Sequence, residues 1–131
     1  MFTAKLASIL AAFVLSLVAI FQILLALALP FGRAAWGGAY RVLPPHLRIA
    51  SALSALPLGL AAWIVLARTG VVAIPWQPSA VRAGTWVAFS ILALNTVANF
   101  ASRSRIERLL MTPVAFVCSA CLLVAALSQY P

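Results

Sequence analysis

The only acidic side chain of this chain, Glu107, lies in the stretch NFASRSRIERLLMTP (residues 99–113), with Arg103, Arg105 and Arg108 around it. A single carboxylate among guanidinium groups reads as a structural ion pair. Acid–base work by paired carboxylates needs a second acid, and the chain contains no aspartate. Two thiols, Cys118 and Cys121, stand in CSAC, three residues apart and so on neighbouring positions of one helical face. The carboxamides of Gln22, Asn95 and Asn99 lie in otherwise apolar stretches, where each must find a partner away from water. One His, two Cys and one Glu, widely separated, do not make a usual metal site, so no metal or other cofactor is expected. HExxH helices, nucleophile elbows and phosphate-binding glycine loops are missing from the sequence.

The elements that must position these groups are membrane spans. Of 131 residues, 66% are hydrophobic and 8% charged, far outside the balance of soluble domains. The excess of nine Lys and Arg over one acid would suggest nucleic acid in a soluble chain. Here the arginines stand singly or in threes between apolar runs, as flanks of spans, so no nucleic-acid partner is expected. The runs cover about 6–29, 49–67, 83–101 and 113–130, each near the ~18–20 residues that cross a ~30 Å hydrocarbon core. The expectation is an all-α fold: one domain, 1–131, an integral membrane bundle of four transmembrane helices. The first run is about twice a signal-peptide core and is expected to be retained. Pro30 and Gly32 are expected to end the first span, and Thr69-Gly70 to follow the second. Thr112-Pro113 supplies an N-cap and first-turn proline for the fourth.

The first connection carries Arg33, Arg41, His46 and Arg48, and the third Arg103, Arg105 and Arg108, all on one side of a four-span protein. The other side has Lys5, Arg68 and Arg82. The positive-inside rule then places both basic connections in the cytoplasm and both termini outside it. Trp36, Tyr40, Trp63, Trp76 and Trp86 fall near span ends, where aromatic rings favour the headgroup layer. The stretch FGRAAWGGAYRVLPPHLR is too rich in Gly and Pro for a continuous helix, and it is expected to lie along the interface.

Gln22 lies about 10 Å and Asn95 about 9 Å from the basic end, at ~1.5 Å per residue, so the two can meet in one leaflet. Asn95, Asn99, Arg103 and Glu107 are four apart and form one stripe if the third span continues past the interface. No ionisable residue falls within the expected spans, which disfavours a proton- or sodium-coupled pump. Small-residue rows, Ser8-Ala12-Ser16 and Ser51-Ala55-Gly59, allow close helix approach, and Ser54 is placed to relieve a kink at Pro57.

Two functional readings follow. In the first, a non-enzymatic bundle uses its basic cytoplasmic face to bind anionic lipid or a partner protein, with a homo-oligomer or membrane partner left open. In the second, a small carrier, channel or lipid-handling protein uses a polar cleft at Gln22, Asn95 and Asn99, with Arg103, Arg33 and Arg41 as further ligand contacts. The CSAC pair resembles the redox motif of vitamin K epoxide reductases and related quinone-linked thiol oxidoreductases, which implies a third reading through Cys118 and Cys121. That family relays electrons through further loop cysteines, which this chain lacks.

Together, GRAAWGG with RVLPPHLRIAS and NTVANFASRSRIERLLMTPVA resemble the small uncharacterised four-span integral membrane proteins of bacteria, with their Gly-Arg-Ala-Ala-Trp-Gly-Gly connection and Asn-x-x-Ser-Arg-Ser-x-x-Glu-Arg segment. The resemblance implies a bacterial cytoplasmic membrane and a four-helix fold, and no activity. In this reading Arg33, Trp36 and Arg41 pack against Arg103, Arg105, Glu107 and Arg108, with Glu107 paired to an arginine across the gap.

Overall fold

The computed structural model describes residues 1–129. Its main elements are four helices: α1 (Phe2–Ala26), α2 (Pro45–Arg68), α3 (Pro78–Phe100) and α4 (Arg105–Leu127). Two single 3₁₀ turns, Gly32–Ala34 and Trp36–Gly38, shape the connection between α1 and α2. All four helices are long and apolar enough to cross a membrane, and no strand occurs among the described residues. At ~1.5 Å per residue each is roughly 35 Å long, a little more than the ~30 Å hydrocarbon core. The chain is a four-helix membrane bundle, as its composition implies.

Helix ends follow local chemistry more closely than they follow hydropathy. α1 stops at Ala26 rather than near Pro30, because Ala28 adopts a left-handed φ of 65°. The Leu29 N–H then bonds the Leu24 carbonyl, and the Ala28 N–H the Leu25 carbonyl, the paired reversal of a Schellman end. α2 ends the same way around Gly70, where the left-handed φ of 69° falls on the residue type that tolerates it. α2 and α3 begin at prolines, Pro45 and Pro78, whose missing N–H is harmless in a first turn. α3 thereby takes Arg82 into its first turns.

The expected start of the fourth span at Thr112-Pro113 is overturned. α4 begins at Arg105, with Ser104 as N-cap accepting the Glu107 N–H at 3.2 Å, and Pro113 lies inside the helix. An internal proline is tolerable in a membrane helix because packed neighbours compensate for the lost backbone bond. Pro57 is likewise internal to α2, but the Ser54 hydroxyl bonds the Ala50 carbonyl at 2.7 Å, not the Leu53 carbonyl that the proline frees.

α1 packs closely along α2 and α4, and α3 along α4, whereas α2 and α3 are the most loosely packed neighbours. The core joins Ala11, Ala12 and Leu15 of α1 to Val65 of α2 and to Cys118 and Leu122 of α4. Small side chains bring the α1 backbone close, and the Ser8 and Thr69 hydroxyls share a buried hydrogen bond of 2.6 Å across the seam. Of the two small-residue rows, Ser8 and Ala12 are buried but Ser16 is not. Ser51 is buried, whereas Gly59 faces open space. At the end opposite the basic connections, Arg68 is buried and its Nη2 donates to the Ala126 carbonyl at 3.4 Å and to that of Ser128. A guanidinium there satisfies carbonyls that the last turn of α4 leaves open.

Candidate functional site

At the basic end the two connections lock together around Glu107. Trp36, Gly37 and Gly38 take left-handed φ values of 52°, 81° and 72° in succession, and this curl presents the Gly37 N–H to Glu107 Oε2 at 3.0 Å. The Ser102 hydroxyl donates to the same oxygen. Ser104, besides capping α4, donates to the Arg33 carbonyl at 2.5 Å, and its N–H reaches Ser102 Oγ at 3.2 Å. A Cβ at Gly38 would overlap Ser104 Cβ and Oγ, so the close approach of the two connections requires glycine there. Trp36 Nε1 donates to Ser51 Oγ at 2.9 Å, which pins the same loop to α2. Arg48 Nε donates to the Ala26 carbonyl at 2.8 Å and closes the end of α1.

Glu107 is only 8% exposed. A carboxylate so buried needs donors, since charged groups left unpaired in low dielectric are costly, and it finds them in an amide N–H and a hydroxyl. These two replace the arginine partner expected from the sequence. Arg33, Arg41, Arg103 and Arg105 are exposed, and Arg108 is half-buried. Because α3 ends at Phe100, Asn95, Asn99, Arg103 and Glu107 also do not form one helical stripe. The turn at 101–104 instead carries Glu107 back onto α4, beside the two asparagines.

Gln22, Asn95, Asn99 and Glu107 border a common space. All four line one cavity of about 630 Å³, within the ~300–1,000 Å³ typical of small-molecule sites. Its walls come from all four helices and its basic end is closed by Ala34, Ala35 and Trp36 of the first connection. Beyond the amides, Glu107, Trp36 and Ser54, the lining is apolar, with Leu15, Val18, Ala61, Val87 and Ile91 among its residues. The cavity opens sideways along the loose α2–α3 seam. Pro57 and Leu60 stand exposed on one lip, and Val87, Ile91 and Asn95 on the other. Towards the far end the seam narrows, where Gly84 of α3 meets Ile64 of α2.

The amides are incompletely satisfied. Asn99 Nδ2 makes a long bond of 3.4 Å to the Met111 carbonyl, and Gln22 Oε1 is buried with no hydrogen-bond donor. Such an atom forfeits ~1–3 kcal/mol, a cost that a ligand or a rotation of the carboxamide would remove. Cys118 lines the cavity and Cys121 packs against the core beside it, both as free thiols.

Arg33, Arg41 and Arg103, expected as ligand contacts, do not line the cavity. Glu107, in the first turn of α4 and outside the apolar run 113–130, nonetheless borders the cavity. Its hydrogen-bond partners, Ser102, Ser104 and Gly37, are not the arginines that the sequence suggests. The sequence signal for part of this is Ser104-x-x-Glu107, the Ser-x-x-Glu pattern of a helix start. Comparison of the chain with protein-family models, with curated proteins and with solved structures finds no match, so the site is interpreted from its own residues.

Proposed function

We propose that this chain is a lipid-handling membrane protein that receives a lipid-like ligand through the α2–α3 seam, with its basic end seated on an anionic cytoplasmic leaflet. The carrying observation is the lateral cleft itself, apolar along most of its length and ending at Gln22, Asn95, Asn99 and Glu107. That distribution matches an amphiphile lying parallel to the helices, its head at the amides and its tail along Leu15, Val18, Ala61 and Ile91. A lateral mouth suits a ligand that diffuses in the bilayer. Glu107, held by Gly37 and Ser102, is placed to hold the end of the cleft and to bind, and carries no catalytic role in this reading.

The seat on the leaflet is supported by exposed Arg33, Arg41, Arg103 and Arg105, with Phe31, Tyr40 and Phe100 exposed at the same end. Each basic residue near an anionic surface contributes ~1 kcal/mol. Arginine excess favours a cytoplasmic position for this end, and hence termini on the far side. The resemblance to small bacterial four-span proteins favours a bacterial cytoplasmic membrane.

The cleft reading is tested by filling it. Ile91→Trp projects a large ring from one lip of the cleft, and purification in mild detergent followed by mass spectrometry measures bound lipid. Wild-type protein is expected to retain a lipid in defined stoichiometry and the variant to lose it. Equal retention by both would place the bound lipid elsewhere.

A further inference from the structure

We infer that the occupant of the cleft is an uncharged lipid alcohol, a lipid whose head both donates and accepts hydrogen bonds and carries no phosphate. This rests on the lateral-cleft reading above and adds the class of ligand. The tail cannot supply the selectivity. A hydrocarbon chain that leaves the bilayer for an apolar cleft exchanges one apolar surrounding for another and gains little. Discrimination therefore falls to the head.

The polar end of the cleft has a definite character. It offers three carboxamides and one carboxylate, and no Lys or Arg is among the described residues lining it. This holds although four arginines stand exposed at the same end of the bundle. A phosphate drawn into the cleft would therefore lie near the Glu107 carboxylate without a cation, an arrangement that desolvation and like charge both oppose. Anionic heads are better served outside, by the exposed arginines. An ammonium head would suit Glu107 by sign. The arginines exposed at that end oppose a further cation there, and Glu107 Oε2 already receives two donors, which leaves only Oε1 for it.

A hydroxyl head meets neither obstacle. It has a donor for an amide oxygen such as that of Gln22, which now has none, and lone pairs for an amide N–H. Asn95, exposed on the lip, is a polar side chain at a lateral mouth otherwise bordered by Val87, Ile91 and Leu60. It gives an entering hydroxyl its first partner before Asn99 and Gln22 deeper in.

The test uses matched photoactivatable lipids with a diazirine in the acyl chain, dioleoylglycerol-like and dioleoylphosphatidic-acid-like, in phosphatidylcholine vesicles holding the full chain. Crosslinked residues are mapped by mass spectrometry. The diacylglycerol probe is expected on cleft residues such as Val18, Ala61 and Val87, and the phosphatidic acid probe on outward residues such as Phe13, Leu94 and Leu109. In the Gln22→Leu, Asn99→Leu double variant the cleft adducts should fall about fivefold or more, the worth of one net hydrogen bond. Unchanged outward adducts in that variant show that the bundle is intact. Equal cleft labelling by both probes, or stronger labelling by an amine-headed analogue, would overturn the assignment of the head and leave the cleft reading standing. Absence of cleft adducts from every probe would overturn both.

Discussion

The α1–α2 seam and the α2–α3 seam share a helix and a solvent, yet one is closed and the other open. On the closed seam Ala11, Ala12 and Ser8 let the backbones approach, and the Ser8–Thr69 hydrogen bond fastens them. On the open seam the facing residues are Pro57, Leu60, Ala61, Val87 and Ile91, and a cavity of about 630 Å³ separates the helices. In water an apolar gap of this kind would tend to close. In lipid there is little hydrophobic drive between helices, so only shape and polar contacts close a seam. The open seam is accordingly held at its basic end by hydrogen bonds around Glu107, and at its narrow end by Gly84 against Ile64.

The largest test of this contrast removes the polar closure. Glu107→Ala takes the acceptor from the Gly37 N–H and the Ser102 hydroxyl together. With ~1.5–3 kcal/mol for a hydrogen bond to a charged group, the expected loss is about 3 kcal/mol in denaturant titration in mixed micelles. Glu107→Gln keeps an acceptor oxygen and should lose about half as much. If Glu107→Ala proved neutral, the connections would be held by something other than this carboxylate.

Next comes the same enlargement made on each seam. Ala11→Leu inserts a branched side chain where Ala11 is 1% exposed, and overpacking of that kind costs roughly 1–3 kcal/mol. Ala61→Leu, projecting into the cavity, should change stability by less than about 0.5 kcal/mol while weakening lipid retention. Similar destabilisation at both sites would mean that the open seam closes when the protein sits in a bilayer.

The contrast between seams also separates what was legible in the sequence from what was not. The four spans are visible because ~20 apolar residues without charge admit few alternatives, and Gln22 and Asn95 are visible as a pair because depth follows from helical rise. The partner of Glu107 is not. Its neighbours in sequence are arginines, and the i, i+4 spacing from Asn99 through Arg103 presumes a helix that the turn at 101–104 interrupts. The Trp36–Gly38 curl was hidden for a related reason, since a left-handed φ at Trp36 is a conformation that its residue type does not announce. The cavity is less legible still. It exists because side chains on α2 and α3 fail to interdigitate, and mismatch between two helices is not written in either one.

Two glycines, Gly59 outside the lining of the open seam and Gly84 within it, offer the smallest and sharpest comparison. Gly59 of α2 has nothing within 4 Å of the position where a Cβ would stand. Gly59→Ala should therefore stabilise by up to ~1 kcal/mol, the difference in helix propensity. Gly84→Ala carries the same propensity gain, but its Cβ would come within 3.1 Å of Ile64 Cδ1. That atom is the free end of a side chain bordering the cavity, so a rotamer change into the open space relieves the contact at ~0.5–1 kcal/mol. The two terms nearly cancel, and the expected net change is within about 0.5 kcal/mol in the same titration. A loss well above 1 kcal/mol would mean that Ile64 has no room to move, and that the narrow end of the α2–α3 seam is packed as tightly as the α1–α2 seam.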